Sequence, residues 1–144
     1  MIGGSDRINI IAKTALHPTE DREKVEQCFR NIIQDPQPHI EEERTEVGIY
    51  LIIRSSEMNK LSLIRDKLRQ QRIRDSARKI LLKNMDENSV SFFLNKQAAS
   101  AGRIHFVKDP EQEDFLGPIT ITIISDNIQE IIDWLTLDNL KKTN

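Results

Sequence analysis

Residues 119–124 read ITITII, an alternation of isoleucine with threonine. Alternation with a period of two is typical of a β-strand that has one face in the core and the other in water. Directly downstream, residues 127–137 carry apolar side chains at helical spacing, which predicts an amphipathic helix. A sheet with one wet face needs helices to cover its other face, so the predicted fold is a two-layer α+β sandwich.

The same two patterns extend through the rest of the chain. The further strands predicted are at 7–16, 39–53, 89–94 and 103–107, and the further helices are at 20–33, 58–85 and 96–101. This order predicts a single domain over residues 1–144, with a mostly antiparallel sheet and helices packed on one face.

Two of these elements carry extra information in their apolar residues. The stripe that ends at Leu68 skips Gln71 and Asp75, which predicts a break near 69–72 between two helices. The strand from Val47 to Ile53 is apolar on both faces, which predicts burial on both sides, by this chain or by a second copy.

Polar residues and glycine mark the predicted helix ends. Thr19 precedes the first helix and Asn95 precedes the short helix, so both are predicted to cap helix N-termini. Gly102 follows the short helix and is predicted to end it in a left-handed conformation.

The composition indicates a folded protein without disulfides. Apolar residues make up 38% and charged residues 31% of the 144 residues. No apolar run approaches the roughly 20 residues of a membrane span, and no secretory signal precedes the first strand. We therefore expect a cytoplasmic protein with no membrane partner. The single cysteine, Cys28, lies on an apolar helix stripe and is predicted to be a buried hydrophobic residue.

Charge is strongly segregated along the chain. Residues 54–83 contain ten Lys or Arg and three acids, for a net charge of +7, whereas 17–46 contain four bases and nine acids, for a net charge of −5. Clustered cations neutralise phosphates, so this basic segment is a possible RNA contact. The side chains predicted to make it are Arg65, Arg69, Arg72, Arg78, Lys79 and Lys83.

An alternative explanation of the basic segment involves no nucleic acid. The cations could form a solvated helix face, or they could dock on the acidic segment 17–46 within the domain or across a dimer. The basic segment also contains no aromatic residue, which is unfavourable for stacking of single-stranded bases.

The segment LNKQAASAG, at residues 94–102, begins with the predicted helix cap Asn95. A helix N-terminus can hold an anion through its free N–H groups, and Lys96 and Arg103 are the side chains that would assist. The alternative is a capped short helix whose small residues allow close packing.

Catalytic and metal-binding motifs are missing from the sequence. His17, His39 and His105 are scattered and form no HxH or HExxH spacing. There is no P-loop, GxGxxG or GxSxG segment. The prediction is therefore a protein that is not an enzyme, with no cofactor, no metal and no small-molecule substrate.

Four segments together resemble the archaeal uncharacterised protein family 0201. They are HPTED at 17–21, LRQQRIRDSARKILL at 68–82, FFLNKQAASAGRIHF at 92–106, and LGPITITI with IIDWL within 116–135. The resemblance implies a two-layer sandwich like that of large-subunit ribosomal protein five, and it implies homodimers. It brings no catalytic residues to this chain.

The function predicted is a non-enzymatic, homodimeric interaction or scaffold protein. Its interface is predicted from the two apolar faces of 47–53 together with Phe92 and Phe93, which exceed what a small sheet should leave exposed. The alternative is an RNA-binding module that uses the basic helices of 54–83.

Overall fold

The structure is a computed structural model that describes residues 7–112 and 116–137. Its elements, in chain order, are β1 (Ile8–Leu16), α1 (Arg22–Ile32), β2 (Glu41–Thr45), β3 (Gly48–Ser55), α2 (Ser62–Gln70), α3 (Arg74–Asn84), β4 (Ser89–Leu94), α4 (Lys96–Ser100), β5 (Phe106–Val107), β6 (Ile119–Ser125) and α5 (Ile128–Thr136). Short 3₁₀ helices also form at Met58–Leu61 and Pro110–Gln112.

The six strands form one antiparallel sheet in the order β2-β3-β1-β6-β4-β5. In its centre Ala12 lies opposite Ile53 on one side and Ile121 on the other, which sets a common inner face. All three side chains are 4% exposed or less. The α+β class predicted from the sequence is confirmed.

The helices pack on the inner face and leave the outer face open. Ile119, Ile121 and Ile123 are fully buried in one cluster with the apolar sides of the helices. On the outer face Thr122 and Ser91 face each other with their hydroxyl oxygens 3.1 Å apart. Strand β6 therefore turns Ile119, Ile121 and Ile123 toward the helices and its threonines toward the outer face, as its alternation predicts.

Burial on both faces of β3 is confirmed in part, since on the outer face Ile52 is buried and Tyr50 is half-buried. Leu51 and Ile53 point into the core, and Ile52, on the outer face, is only 3% exposed because it lies between Lys13 and Glu41 in the register. The acidic strand β2 lies at the edge of the sheet, where charge opposes edge-to-edge pairing.

Three local predictions are wrong in detail. The predicted Thr19 cap of helix α1 is wrong, because the Thr19 hydroxyl lies 2.9 Å from His17 Nδ1. The helix is capped by Asp21, whose carboxylate accepts from the N–H of Glu23 at 3.0 Å. Val47 occupies the β2–β3 turn and is 84% exposed, so it is outside the strand. The strand predicted at 103–107 shortens to Phe106–Val107.

Cys28 is buried, as predicted. Its thiol donates to the carbonyl of Lys24 at 3.4 Å, and burial raises the pKa of the Cys28 thiol. Both features make it a poor nucleophile, because the thiolate is the reactive form. None of the helices in the described part of the chain has the length and hydrophobicity to cross a bilayer.

Candidate nucleic-acid interface

Helices α2 and α3 meet at an elbow whose corner residue is Arg72, so the predicted break is confirmed. The N–H of Arg72 donates to the Arg69 carbonyl at 3.1 Å, and the N–H of Ile73 donates to Leu68 at 3.0 Å. This is the hydrogen-bond pattern of a Schellman C-cap, whose left-handed residue is usually glycine. Arg72 occupies that position with φ of 60°. A residue with a β-carbon is strained there, so the corner carries an arginine at a cost in backbone energy.

Helix α2 is tied to the loop that follows α4. The Lys67 ammonium donates to the Gly102 carbonyl at 2.7 Å, and the Gln71 side-chain amide bonds both the N–H and the carbonyl of Ile104 at 2.8 Å. Gly102 itself ends α4 with φ of 78°, as predicted. Arg103 lies between the two tied residues and is exposed, so these bonds hold its backbone beside α2.

The other side of α2 packs on α5 through an arginine. Arg65 Nε donates to the Trp134 carbonyl at 2.9 Å, and the Arg65 guanidinium carbon lies 5.0 Å from the centre of the Trp134 ring. Arg65, Arg69 and Arg74 line a recess of about 10 Å³ against the end of α5, with room for about one water molecule. The six cations around this corner are called the elbow surface below; they are Arg65, Lys67, Arg69, Arg72, Arg74 and Arg103.

Two further predicted contact residues lie on the outer side of α3. Lys79 and Lys83 are exposed and one helical turn apart, so their side chains are neighbours. Within residues 7–112 and 116–137, neither has a carboxylate partner. They add positive charge on α3, and the elbow surface together with these two lysines is called the positive surface below.

Arg78 points inward from the same helix. Its Nη1 donates to Asp133 at 2.8 Å and to the Thr136 hydroxyl at 3.1 Å, so the guanidinium joins α3 to α5. Both members of the ion pair are about three-quarters buried. Arg78 is therefore occupied within the fold, and its charge is matched by Asp133.

Lys96 is also occupied within the fold. Its side chain is 6% exposed, and its ammonium bonds the Glu20 carboxylate at 3.1 Å, the Ala15 carbonyl at 2.7 Å and the Leu116 carbonyl at 2.9 Å. Three donors are thus matched by three partners. The structure separates Lys96 from Arg103, the two side chains that the sequence grouped as one anion contact.

A larger groove of about 320 Å³ runs between the start of α1 and α4. Glu20, Lys96 and Cys28 lie in its wall, but the first two bond each other and the third is a buried thiol. No three His, Cys, Asp or Glu side chains in the described residues are grouped to hold a metal ion. The groove thus presents no free reactive group from these three residues.

Sequence reasoning missed Lys67, Gln71 and Arg74 as parts of the candidate interface. Lys67 and Arg74 appear in the basic segment, but nothing in their spacing distinguishes them from their neighbours. Gln71 is visible only as an interruption of the apolar stripe. Its function as a clamp on Ile104 depends on a contact 33 residues away, which no local pattern reveals.

Comparisons with known proteins agree on one family. A family model described as "RNA binding" matches residues 9–125. A UPF0201 protein of Sulfurisphaera tokodaii is 42% identical over 127 residues, which cover 88% of this chain and 86% of that protein. A UPF0201 protein of Aeropyrum pernix is 37% identical over 137 residues, which cover 94% of this chain and 89% of that protein.

A solved structure supports the same assignment. The crystal structure of a UPF0201 protein from Methanococcus jannaschii superposes with a TM-score of 0.74 at 30% identity. The match covers 89% of this chain and 98% of the other. The likeness to large-subunit ribosomal protein five stays a prediction. Identity, coverage and fold together establish that this chain belongs to the archaeal UPF0201 family.

Proposed function

We propose that this protein is an RNA-binding module that acts without catalysis, and that RNA contacts the elbow surface together with Lys79 and Lys83. One observation carries the proposal. Five cations of 54–83 have no carboxylate partner in the described residues: Arg65, Lys67, Arg72, Lys79 and Lys83. Arg65 and Lys67 bond carbonyl oxygens, which orient the cations but leave their positive charge unneutralised.

Docking on the acidic segment 17–46, one form of the competing explanation, accounts for only part of the basic segment. In the described part of the chain, the basic segment forms ion pairs with the acidic segment 17–46 through Arg54, which lies 3.2 Å from Glu41, and Lys60, which lies 3.6 Å from Asp35. Both lie outside Ser62–Lys83, where eight bases face two acids. The family match adds support, because the family model is described as RNA binding and matches residues 9–125.

RNA affinity is expected to fall steeply with salt. Each neutralised phosphate releases counterions, so if half of the eight cations of the positive surface each neutralise one phosphate, affinity drops on the order of 100-fold between about 50 and 200 mM salt. Fluorescence anisotropy with a labelled structured RNA measures this slope. No binding at the lowest salt would contradict the proposal, and so would binding that is insensitive to salt.

A second candidate function is homodimeric association, which is favoured by the apolar side chains on the outer face of the sheet. Ile11, Tyr50 and Phe93 are half-buried there, and Ile124 is 41% exposed. Exposed apolar side chains that share a face are typical of an interface. Phe92, also predicted to be part of this interface, is 1% exposed and lies in the core, because its side chain faces the helices.

Light scattering tests the dimer. We expect a mass twice that of one chain at micromolar concentration, and a monomer for Ile124→Lys, because a buried ammonium opposes association. Val47→Lys is the matched control, since Val47 is 84% exposed on the β2–β3 turn and is not on the sheet face. A monomeric wild-type protein would remove this candidate.

A further inference from the structure

The elbow surface lacks the side chains that stack on unpaired bases. Among the aromatic residues of 7–112 and 116–137, Phe29 and Phe92 are at most 1% exposed. Phe106 packs against Phe92 with ring centres 5.7 Å apart. The Trp134 ring lies against α2, where the Arg65 guanidinium already covers one of its faces. Proteins that hold single strands without sequence preference rely on such stacking, at roughly 1–3 kcal/mol per base.

The remaining aromatic side chains lie on the outer sheet face, on the other side of the molecule from the helices. The Lys13 ammonium sits 4.7 Å from the centre of the Tyr50 ring. Lys13 is itself paired with Glu43, and Arg54 is paired with Glu41 on the same face. Lys13 and Arg54 are therefore each balanced by a carboxylate, which disfavours a nucleic-acid backbone beside them.

Most charged groups of the positive surface are guanidinium and ammonium groups, which are suited to phosphates, and the carboxylates among them are Asp66, paired with Arg69, and Asp75 in the first turn of α3. The cationic groups are distributed over two helices: Arg69 and Arg72 lie at the elbow, and Lys79 and Lys83 lie on α3. Helix α3 alone has 11 residues and is about 16 Å long, which is enough to reach several phosphates of one strand. Duplex RNA is recognised mainly in this way, by shape and backbone contacts rather than by base edges.

We infer that the RNA bound by this protein is double-helical, and that it is held through its backbone without sequence preference. The inference rests on the proposed function and narrows it to one class of RNA. Arg72 presents its charge at the corner, the Lys67 and Gln71 bonds hold the Arg103 backbone beside α2, and Lys79 and Lys83 continue the contact along α3.

The test compares an RNA duplex of about 20 base pairs with an unstructured RNA strand of about 40 nucleotides, so that both carry a similar number of phosphates. The duplex length is chosen because double-stranded RNA-binding domains span roughly 16 base pairs. We expect the duplex to bind at least tenfold more tightly. A second duplex of unrelated sequence should bind within about threefold of the first. Lys79→Ala with Lys83→Ala should weaken both duplexes equally and lower the salt slope by about 2.

The possible outcomes separate the two claims. If the single strand binds as tightly as the duplex or more tightly, the duplex inference is wrong while the RNA-binding proposal stands. If one duplex sequence is strongly preferred, the claim of backbone-only contact is wrong. If neither RNA binds at low salt, the proposed function fails, and the inference fails with it.

Discussion

Replacing Lys96 with methionine is expected to destabilise the fold by about 3–5 kcal/mol, the usual effect of removing one partner from a buried ion pair. The methionine side chain has a similar length but no hydrogen-bond donor. Glu20, which is 10% exposed, would keep its bond from the His17 N–H but lose its cation. The carbonyls of Ala15 and Leu116 would lose their donor as well. Urea denaturation measures the free energy of unfolding directly.

Two further variants make this prediction specific to the buried pair. Lys79→Met makes the same chemical change at an exposed position and should alter stability by less than about 0.5 kcal/mol. Combining Lys96→Met with Glu20→Gln should cost less than the sum of the two single changes, because the second removes the stranded charge of the first. A loss below about 1 kcal/mol for Lys96→Met would mean that its ammonium is hydrated in solution.

Local patterns predicted most elements of this fold because each pattern reports an interaction within a few residues. Strand β4 has the bounds predicted, since SVSFFL alternates over its whole length. The Asn95 cap is confirmed by its bond from the Ala98 N–H at 2.8 Å. Helix α1 begins two residues later than the Thr19 cap would require. Both Thr19 and Asp21 are good capping residues, and the choice between them depends on the turn at His17.

The candidate site was only partly predictable, because its composition is local but its arrangement is not. The sequence identifies the excess of lysine and arginine in 54–83, and Arg69 and Arg72 lie where the helix break places them. It does not reveal that Arg78 is neutralised by Asp133, 55 residues away. The position of Arg103 depends in the same way on the long-range bonds of Lys67 and Gln71.

The same reasoning explains why Lys96 resembled an anion contact in the sequence. A lysine that follows a helix cap is usually solvated, and the sequence carries no sign that two carbonyls and a carboxylate converge on it. Those partners come from Ala15, Glu20 and Leu116, which are up to 81 residues away. Tertiary contacts therefore decide which cations of this chain are available to a partner.

Reversing two charges at the elbow is expected to lower RNA affinity at least about 100-fold at low salt, because two phosphate contacts become repulsive. The variant is Arg69→Glu with Arg72→Glu. Arg69 is 56% exposed and its only ion pair among the described residues is a 3.6 Å contact with Asp66, so its replacement should leave the fold intact. Filter binding or anisotropy measures the affinity, and denaturation confirms the fold.

The control for this variant is Lys24→Glu with Arg44→Glu, which gives the same change in net charge, from −2 to −6. Both control side chains are exposed and lie outside the positive surface, on α1 and on the edge strand β2. The control should retain most of the affinity. An equal loss in both variants would mean that overall charge, rather than the elbow, governs RNA binding, and the assigned interface would be wrong.

Arg72→Gly separates binding from folding at the same position. Glycine adopts the left-handed conformation without strain, so this change should raise the free energy of unfolding by about 0.5–1 kcal/mol. It should also weaken RNA binding several-fold and lower the salt slope by about 1, because one phosphate contact disappears. Stability and affinity then move in opposite directions, which no general damage to the protein would produce. An unchanged affinity would remove Arg72 from the interface and would leave its backbone strain without a functional reason.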